Sequence, residues 1–408
     1  MKILHTADWH LGKYLDKFSR LEEQQEILEQ IVQIAEKEAV DIVIVAGDLF
    51  DSFNPSNEAS ELLYKTLHRL ADGGNRAVVA IAGNHDSPER IDMPDTLARE
   101  CGILFVGFPV AETKPFATQA GVRTLRLDKG FVEIKLPGFE YPLRMILTPY
   151  ANEIRLRRYL GSDDKEENLR QVLQNHWLAL ANKYCDQLGV NILMTHLFVM
   201  QKGGEIQDEP EGEKAILVGG SQPIFTENIP AQIQYVSLGH LHRFQDLGVP
   251  SQPVVYSGSP LSYSFAEAGQ KKYVVLLNAE PAKNVILEKI ELNQKRPLLQ
   301  NKFENVEDAL LWLKDFPEAY VQLTLKVDKY LSASDNSRLR MAHDRIVSII
   351  PEISNQEQTA DRQMLNINEH SMEQLFEKFF FERKGQEPNL ALQELFREVL
   401  HSNEQESE

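Results

Sequence analysis

The sequence contains little cysteine and has no long apolar run. Only Cys101 and Cys185 occur among 408 residues, and neither has a metal-type or catalytic spacing, so we expect reduced thiols and no disulfide framework. No apolar stretch has the length that crosses a bilayer. The chain also enters its first apolar run at once, so we expect neither a membrane span nor a signal peptide. The pairs Gly73-Gly74 and Gly203-Gly204 lack P-loop and dinucleotide-binding spacing, which leaves them as turns.

Basic residues are also scarce relative to acidic ones. The 43 Lys and Arg against 61 Asp and Glu give a net charge of -18 at pH 7, and residues 352 to 408 alone carry 5 basic against 13 acidic side chains. Contacts to phosphate groups normally depend on Lys and Arg. A phosphate-bearing substrate would therefore need bound cations or a partner protein to attract it. The length of the chain predicts two domains and an appendage.

The sequence does contain metal-type side chains directly behind short apolar runs. Each run has the composition of a buried parallel strand. The runs lead into five motifs: Asp8-Trp9-His10, Gly47-Asp48, Gly83-Asn84-His85-Asp86, Thr195-His196 and Gly239-His240-Leu241-His242. Ligands bind beyond the carboxyl ends of strands in open α/β sheets, so these polar residues are expected to converge. The alternation of strand, loop and helix indicates the α/β class.

The motifs supply seven side chains that suit divalent metals: Asp8, His10, Asp48, Asn84, His196, His240 and His242. Any one of these histidines alone would more often be structural, but five motifs in order favour a site. Mixed carboxylate, imidazole and amide ligands suit manganese, iron or zinc better than calcium. Seven ligands exceed the needs of one ion, so a two-metal centre with a bridging carboxylate is the simplest interpretation.

The order DxH, GD, GNHD, H and GHxH resembles the calcineurin-like metallophosphoesterases. Finer details resemble their SbcD branch, the nuclease subunit of a DNA-break repair complex: residues 5 to 12 (HTADWHLG), 47 to 51 (GDLFD) and 256 to 260 (YSGSP). The resemblance implies a four-layer sandwich of two mixed β-sheets flanked by helices, with a small α+β capping domain and a C-terminal helical tail.

The resemblance also implies roles for the motif residues. One ion would be held by Asp8, His10, Asp48 and His242, and the other by Asp48, Asn84, His196 and His240. His85 would stabilise the phosphate or act as a general acid, and Asp86 would orient it. The implied activity is a manganese-dependent 3'-5' exonuclease and endonuclease, acting on double-strand ends and hairpins in the cytoplasm. Its implied partners are DNA, a coiled-coil ATPase of the SbcC type and a second copy of the chain.

Two other functions remain open at this point. The motifs define two-metal phosphoester chemistry, which also suits a phosphodiesterase acting on small molecules. A non-catalytic subunit that tethers DNA ends is the second alternative. Candidates for contact with DNA phosphates are Lys13, Lys17, Arg20 and Lys202, although each is also typical of a solvated surface. Asp51 could either support the bridging Asp48 or belong to a turn, and His5 is expected to be structural.

Composition along the chain predicts three regions. We assign residues 1 to 280 to the nuclease domain, 281 to 351 to the α+β capping domain, and 352 to 408 to an acidic linker and terminal helices. Residues 273 to 277 and 285 to 292 are expected to form the last hairpin of the catalytic unit. The capping domain is expected to hold a helix at 306 to 314, a strand at 320 to 327 and a helix at 334 to 349.

The tail carries apolar residues at helical spacing in two short helices. These residues are predicted to dock a partner, the ATPase of the resembled family: Met372, Leu375, Phe376, Phe379, Phe380, Leu392, Leu395 and Phe396. Packing back onto the capping domain is the alternative. The concentration of aromatic side chains favours docking, because such a patch is costly to leave in water.

Overall fold

The structure is a computed structural model that describes residues 1 to 156, 165 to 204, 223 to 327, 331 to 353 and Phe376. The chain divides into two compact units, residues 1 to 327 with 331 to 352, and residues 328 to 330 with 353 to 408. In the second unit Phe376 is helical and half-buried. The other predicted docking residues lie outside the described residues. Among the described helices, none combines the length and the apolar character that a membrane crossing requires.

The first sheet of the larger unit has six strands. Its spatial order is Ile286–Leu292, Lys272–Asn278, Lys2–Thr6, Ile42–Ala46, Ala77–Ile81 and Ile103–Val106. The last four strands run parallel, and the 272 to 278 strand joins them antiparallel to the first strand of the chain. Three of the five motifs therefore follow neighbouring parallel strands of this sheet.

The second sheet has seven strands. Its spatial order is Gln245–Asp246, Val254–Tyr256, Tyr235–Leu238, Val190–Thr195, Leu143–Thr148, Phe131–Lys135 and Arg123–Asp128. The four central strands, from Val254–Tyr256 to Leu143–Thr148 in this order, are parallel to one another. The strands on either side of these four pair antiparallel with their neighbours. The two remaining motifs follow the neighbouring strands 190 to 195 and 235 to 238. Each sheet thus delivers part of the site.

Three apolar cores separate four layers. One core lies between the first sheet and the helices Leu21–Lys37 and Asn57–Leu70, and it contains Trp9, Leu28 and Leu67. A second core joins the two sheets, and a third packs the second sheet against the helix Lys165–Tyr184 through Trp177. The remaining helices are Pro88–Asp92, Asp95–Glu100, Glu153–Leu156, Val306–Leu313 and Ala333–Ala342. The predicted four-layer sandwich is confirmed.

The helices Leu21–Lys37 and Asn57–Leu70 follow from local signals in the sequence. The 57 to 70 helix begins after Ser56, whose hydroxyl accepts a hydrogen bond from the Ala59 backbone N–H at 3.2 Å. This cap satisfies one of the donors that a helix leaves unpaired at its start. Both helices bury a stripe of apolar residues against the first sheet, which is the arrangement that their spacing predicts.

A smaller three-stranded sheet follows the catalytic sheets, in the order Leu298–Phe303, Tyr320–Val327 and Ile346–Ile353. One face packs against its two helices through Val321, Leu323 and Leu339. The other face meets the hairpin formed by Tyr14–Leu15 and Phe18–Ser19, where Leu298 and Tyr320 contact Leu15. A further two-stranded pair joins Val199–Met200 and Ile224–Phe225.

Two sequence predictions in this region are wrong. The catalytic sheet does not end near residue 280, because the strand Ile286–Leu292 pairs along its whole length with Lys272–Asn278; the smaller sheet begins at Leu298. The predicted helix at 334 to 349 ends at Ala342, and residues 346 to 353 form a strand. The run from Ile346 is rich in β-branched side chains, which favour strands.

Candidate metal centre

The seven predicted ligands converge where the carboxyl ends of the parallel strands meet. Loops of the first sheet are joined by backbone hydrogen bonds: the N–H of Asp8 donates to Gly47 at 3.0 Å and that of His10 donates to Asp48 at 2.9 Å. The two sheets are joined when the backbone N–H of His240 donates to the Asp8 carboxylate at 2.8 Å. The site is therefore built from both sheets.

Several ligand residues have an unusual backbone conformation. Asp8, His10, Asp48 and His240 have φ angles of 54°, 45°, 47° and 101°. Residues other than glycine rarely adopt positive φ, although Asp and His tolerate it better than most. Such conformations persist only where the surrounding structure holds them, and they cluster at functional sites. The bonds between the loops provide that restraint here.

Glycines in the motifs allow the loops to approach one another. A Cβ atom added at Gly83 would lie 2.0 Å from Oδ1 of Asp48, and one added at Gly47 would lie 2.2 Å from Nδ1 of His196. At Gly239 it would lie 1.9 Å from the Ala46 carbonyl oxygen. These contacts are far too short for real atoms, so the glycines of the GD, GNHD and GHxH motifs are steric requirements of the site.

The ligand atoms form two overlapping groups. In the first, Nε2 of His10 lies 3.0 Å from Nε2 of His242, and both share a cluster with Asp8. In the second, Oδ1 of Asn84 lies 3.0 Å from Nε2 of His196 and 3.1 Å from Nδ1 of His240. Oδ2 of Asp48 lies between the groups, 3.2 Å from the His196 Nε2 and 3.6 Å from the His10 Nε2.

This donor set fits a divalent metal. His196 Nδ1 lies 2.8 Å from the Ala46 carbonyl oxygen, which can only accept, so Nδ1 carries a proton. In neutral His196, Nε2 therefore presents a lone pair toward the oxygens of Asn84 and Asp48. Three electron-rich atoms that converge in this way require a positive charge among them. A hydrogen bond from a metal-binding imidazole to a backbone carbonyl is also the arrangement that fixes its tautomer.

Burial adds to the case for bound cations. Asp8 is fully buried, and its Oδ2 has no hydrogen-bond partner. Burial raises the pKa of Asp8 to about 7, and the neighbouring Asp48 carboxylate adds to that rise. Burial lowers the pKa of His196, but the charge of Asp48 raises it to about 9, so without a metal a proton on Nε2 supplies the positive charge that a bound cation would otherwise provide. Burial lowers the pKa of His10 to about 3, which keeps this imidazole neutral, as a metal ligand must be.

His85 lies beside this cluster. Its ring is 4.6 Å from that of His10 between centroids, in an edge-to-face arrangement. Its Nδ1 donates to the backbone carbonyl of Asp51 at 2.8 Å, which fixes the orientation of the ring. The Asp51 carboxylate contacts Lys13 Nζ at 2.9 Å and lies 3.5 Å from Nδ1 of His10. Asp51 is thus part of the site and not only a turn residue.

The structure assigns Asp86 a different task from the predicted orientation of His85. Its carboxylate accepts hydrogen bonds from the backbone N–H groups of Gly83, Leu49 and Phe50 at 2.8, 3.0 and 2.9 Å. These bonds tie the GD loop to the GNHD loop. The contact that orients the His85 ring at Nδ1 comes from Asp51 instead. Asp86 follows His85 in sequence, but at this turn its side chain faces backbone donors.

Sequence analysis missed several buried residues that support the ligands. Gln24 donates from Nε2 to the His10 carbonyl at 2.7 Å, and Tyr263 packs its ring 5.5 Å from that of His10. Glu267 approaches Nδ1 of His242 at 3.4 Å and pairs with the buried Lys272. No local motif marks these positions, because their role depends on contacts between residues distant along the chain.

Arg155 also supports the site. Its guanidinium donates to the carbonyl oxygens of Gly83 and Asp86, each at 2.7 Å. The side chain is buried and lies over the Tyr150 ring, 5.0 Å from its centroid. Arg155 therefore holds the GNHD loop through two of its backbone carbonyl groups.

The four basic candidates have different environments. Arg20 is fully buried and bound to Glu23 at 2.7 and 2.8 Å, so its predicted contact with DNA phosphate is wrong. Lys13 is partly exposed beside Asp51. Lys17 is exposed and lies over the Phe18 ring, and Lys202 is exposed 3.7 Å from Glu227. Lys13, Lys17 and Lys202 remain predicted phosphate contacts.

Comparison with known proteins identifies the family. Residues 1 to 244 match the family model for the calcineurin-like phosphoesterases, which is more than half of the chain. The chain belongs to this family. It is thus a metal-dependent phosphodiesterase, and the clustered His and Asp side chains described above could hold a divalent metal.

Curated relatives indicate which branch of the family the chain is similar to. The chain is 34% identical over 417 residues to the SbcD protein of the SbcCD nuclease from Bacillus subtilis (strain 168), covering 100% of this chain and 99% of that protein. It is 31% identical over 284 residues to the protein of the same name from Rhodobacter capsulatus, covering 68% and 66%. The predicted resemblance to the SbcD branch is confirmed.

Among solved structures, a dimetal phosphatase from Danio rerio is similar to this chain with 12% identity and a TM-score of 0.40, covering 72% of this chain and 99% of that one. This similarity is too distant to inform function.

The contact between Gly47 and His196 leads to a matched pair of substitutions. Gly47→Ala should weaken divalent metal binding by roughly 10- to 100-fold, because the new methyl group must displace the His196 ring. Gly73→Ala introduces similar strain at a φ of 60° but meets no atom within 4 Å. It should cost about 1 to 2 kcal/mol of stability and leave metal affinity unchanged. Calorimetric titration with Mn²⁺ measures both; an equal loss of affinity in the two variants would show that backbone strain, not the His196 contact, matters.

Proposed function

We propose that the protein is the nuclease subunit of a DNA-processing complex, with 3'-5' exonuclease and endonuclease activity on double-strand ends and hairpins. Its centre would hold two manganese ions. The single observation that carries the proposal is the position of His85 beside His10, in a cluster whose two ligand groups both come within 3.6 Å of the Asp48 carboxylate. The names of the SbcD relatives support a nuclease in particular. The proposal includes a cytoplasmic location, where DNA and an ATP-driven partner would be met.

Each side chain has a defined task in this proposal. Asp8, His10, Asp48 and His242 would hold one ion, and Asp48, Asn84, His196 and His240 the other. Bound metals supply an acidified water and bind the phosphate oxygens, which offsets the repulsion between a phosphodiester and an attacking hydroxide. Neutral imidazole and amide ligands hold cations without cancelling their charge, so the centre keeps a positive balance for the substrate.

His85 would complete the reaction at the leaving group. Its Nδ1–H is fixed by the Asp51 carbonyl, so Nε2 is the atom that can carry a proton to the departing sugar oxygen. The Asp51 carboxylate also lies near the ring, 4.0 Å from Nδ1. Lys13 in turn holds that carboxylate in place. Asp51 is a positioning residue in this scheme.

The function is tested by comparing wild type with His85→Ala and His68→Ala. Each protein is incubated with manganese and linear duplex, hairpin DNA or a small chromogenic diester. His85→Ala should lower kcat on DNA by roughly 10²- to 10⁴-fold, since a positioned proton donor is lost, while the exposed His68 serves as a matched control. Manganese affinity should be the same in all three proteins.

Each other outcome identifies a different protein. Activity confined to the small diester would favour a phosphodiesterase for small molecules over a nuclease. Absence of all hydrolysis, with DNA still bound, would favour the tethering role. Full DNA hydrolysis by His85→Ala would contradict the assignment of the proton donor while leaving the nuclease intact.

We also propose that the tail binds the coiled coil of an SbcC-type ATPase. Deleting residues 370 to 408 should abolish co-purification with that ATPase, because the apolar residues predicted to dock it are removed. Manganese-dependent cleavage by the shortened chain should persist, since every proposed ligand precedes residue 243. Co-purification that survives the deletion would contradict the docking role.

The homodimer is a further part of the proposal. Met93 and Leu97 lie four residues apart near the helix Asp95–Glu100 and are 73% and 78% exposed, which is unusual for large apolar side chains. A second copy of the chain would cover them. Leu97→Asp should therefore give a monomer in light scattering, whereas Met341→Asp, at an 83% exposed site elsewhere, should not. A dimer that withstands Leu97→Asp would rule out this surface.

A further inference from the structure

A second cavity lies next to the metal centre. Its volume is about 530 Å³, within the usual range of ligand pockets. It opens between the hairpin of residues 14 to 19, the segment after Leu261 and the open face of the small three-stranded sheet. The residues that matter for its chemistry are Lys13, Tyr14, Tyr263, Phe265, Gln300 and Gln322.

The cavity shares walls with the metal centre. Tyr263 packs its ring 5.5 Å from that of His10 and 6.0 Å from that of His242. On another side, Lys13 binds the Asp51 carboxylate at 2.9 Å, and the Asp51 carbonyl accepts the His85 Nδ1–H. The cavity and the metal centre therefore share Tyr263 and the Lys13–Asp51 pair as common neighbours.

The lining suits a nucleobase better than a phosphate. Its one lysine is already paired with Asp51, and Asp16 adds a negative charge to the wall. Phosphate groups bind where positive charge is in excess, which is not the case here. Aromatic rings and amides, by contrast, recognise the π-face and the hydrogen-bonding edges of a base.

Tyr14 presents its ring to the solvent side of its strand. Side chains alternate along a strand: the neighbouring Leu15 is buried against Leu298 and Tyr320, and Tyr14 is 59% exposed. Gln322 lines the same cavity, and its side-chain Nε2 donates to the Ser348 hydroxyl at 2.9 Å. An aromatic face and an oriented amide thus border the same space.

We propose that this cavity receives the base of an unpaired nucleotide adjacent to the phosphate being cleaved. The inference rests on the proposed nuclease function. A base that enters such a cavity cannot remain stacked and paired within a duplex. The protein therefore acts on frayed, mismatched or looped nucleotides in preference to paired ones, and Tyr14 sets that preference by stacking on the base.

Binding is tested without catalysis, using the full-length chain in EDTA. The probes are oligonucleotide duplexes that carry 2-aminopurine at the 3' end, either paired or opposite mismatched bases, and 2-aminopurine nucleoside monophosphate alone. Wild type should quench the fluorescence of the mismatched end more strongly than that of the paired end. Tyr14→Ala should lose that difference, and Tyr14→Phe should keep it.

The kinetic arm uses manganese and compares kcat/KM on a mismatched duplex end with kcat/KM on a small chromogenic diester. Tyr14→Ala should lower this ratio roughly 5- to 100-fold, the range expected for one lost stack. Phe316→Ala removes a half-exposed ring outside the cavity and should leave the ratio as in wild type. Melting curves establish that the variants are folded.

The outcomes separate this inference from the proposed function. If wild type cleaves DNA and Tyr14→Ala retains both the ratio and the mismatch-dependent quenching, the base site is wrong and the nuclease stands. Equal quenching of paired and mismatched ends by wild type would also overturn it. Quenching of the free nucleotide alone would show a nucleotide site unconnected with strand ends. If wild type hydrolyses only the small diester, the proposed nuclease itself fails, whereas the quenching arm still reports on the cavity.

Discussion

The rest of this structure depends on two buried carboxylates, those of Asp8 and Asp48, and on the His196 imidazole beside them. Ligand atoms of Asp8, Asp48 and His196 all lie within 4.8 Å of one another, at a point where both sheets exclude water. Like charges buried so close together oppose folding unless cations are present. The arrangement is therefore consistent with a metal site, and without bound cations it would lower the free energy of unfolding. It also explains why neutral His and Asn side chains supply the other ligands.

Holding those groups together requires a rigid surround, and the chain builds it from backbone hydrogen bonds. Asp86 binds three N–H groups from two loops, and Arg155 binds carbonyl groups on the same segment. Gln24 anchors the first loop from the helix behind it. Polar residues buried in this way are satisfied by main chain, so none competes with the ligands for metal. The positive φ angles at Asp8 and Asp48 are sustained by this network, since isolated loops would relax.

The ligands and the layer order could be predicted from sequence because their signals are local. Each ligand directly follows an apolar run, and parallel strands bring their ends together whichever sheet they belong to. Arg20 shows what local signals cannot predict. Its role depends on contacts with Glu23 and with Tyr320, a residue 300 positions away, and no sequence spacing indicates the contact with Tyr320. The start of the strand at 346 to 353 is predicted as helix despite its β-branched residues, because apolar periodicity is ambiguous in short segments.

The metal centre and the cavity together explain how an acidic chain could bind DNA. Of the basic candidates near the centre, Arg20 is buried against Glu23 and Lys13 is paired with Asp51. Attraction for phosphate would then come from metals at the cleavage point, where their charge would serve both chemistry and binding, together with the exposed Lys17 and Lys202. Stacking on Tyr14 needs no counterion release, so it adds affinity that salt does not screen. A protein of this kind would hold intact duplex weakly and a single unpaired nucleotide well. Cleavage would then be confined to places where the DNA is already open.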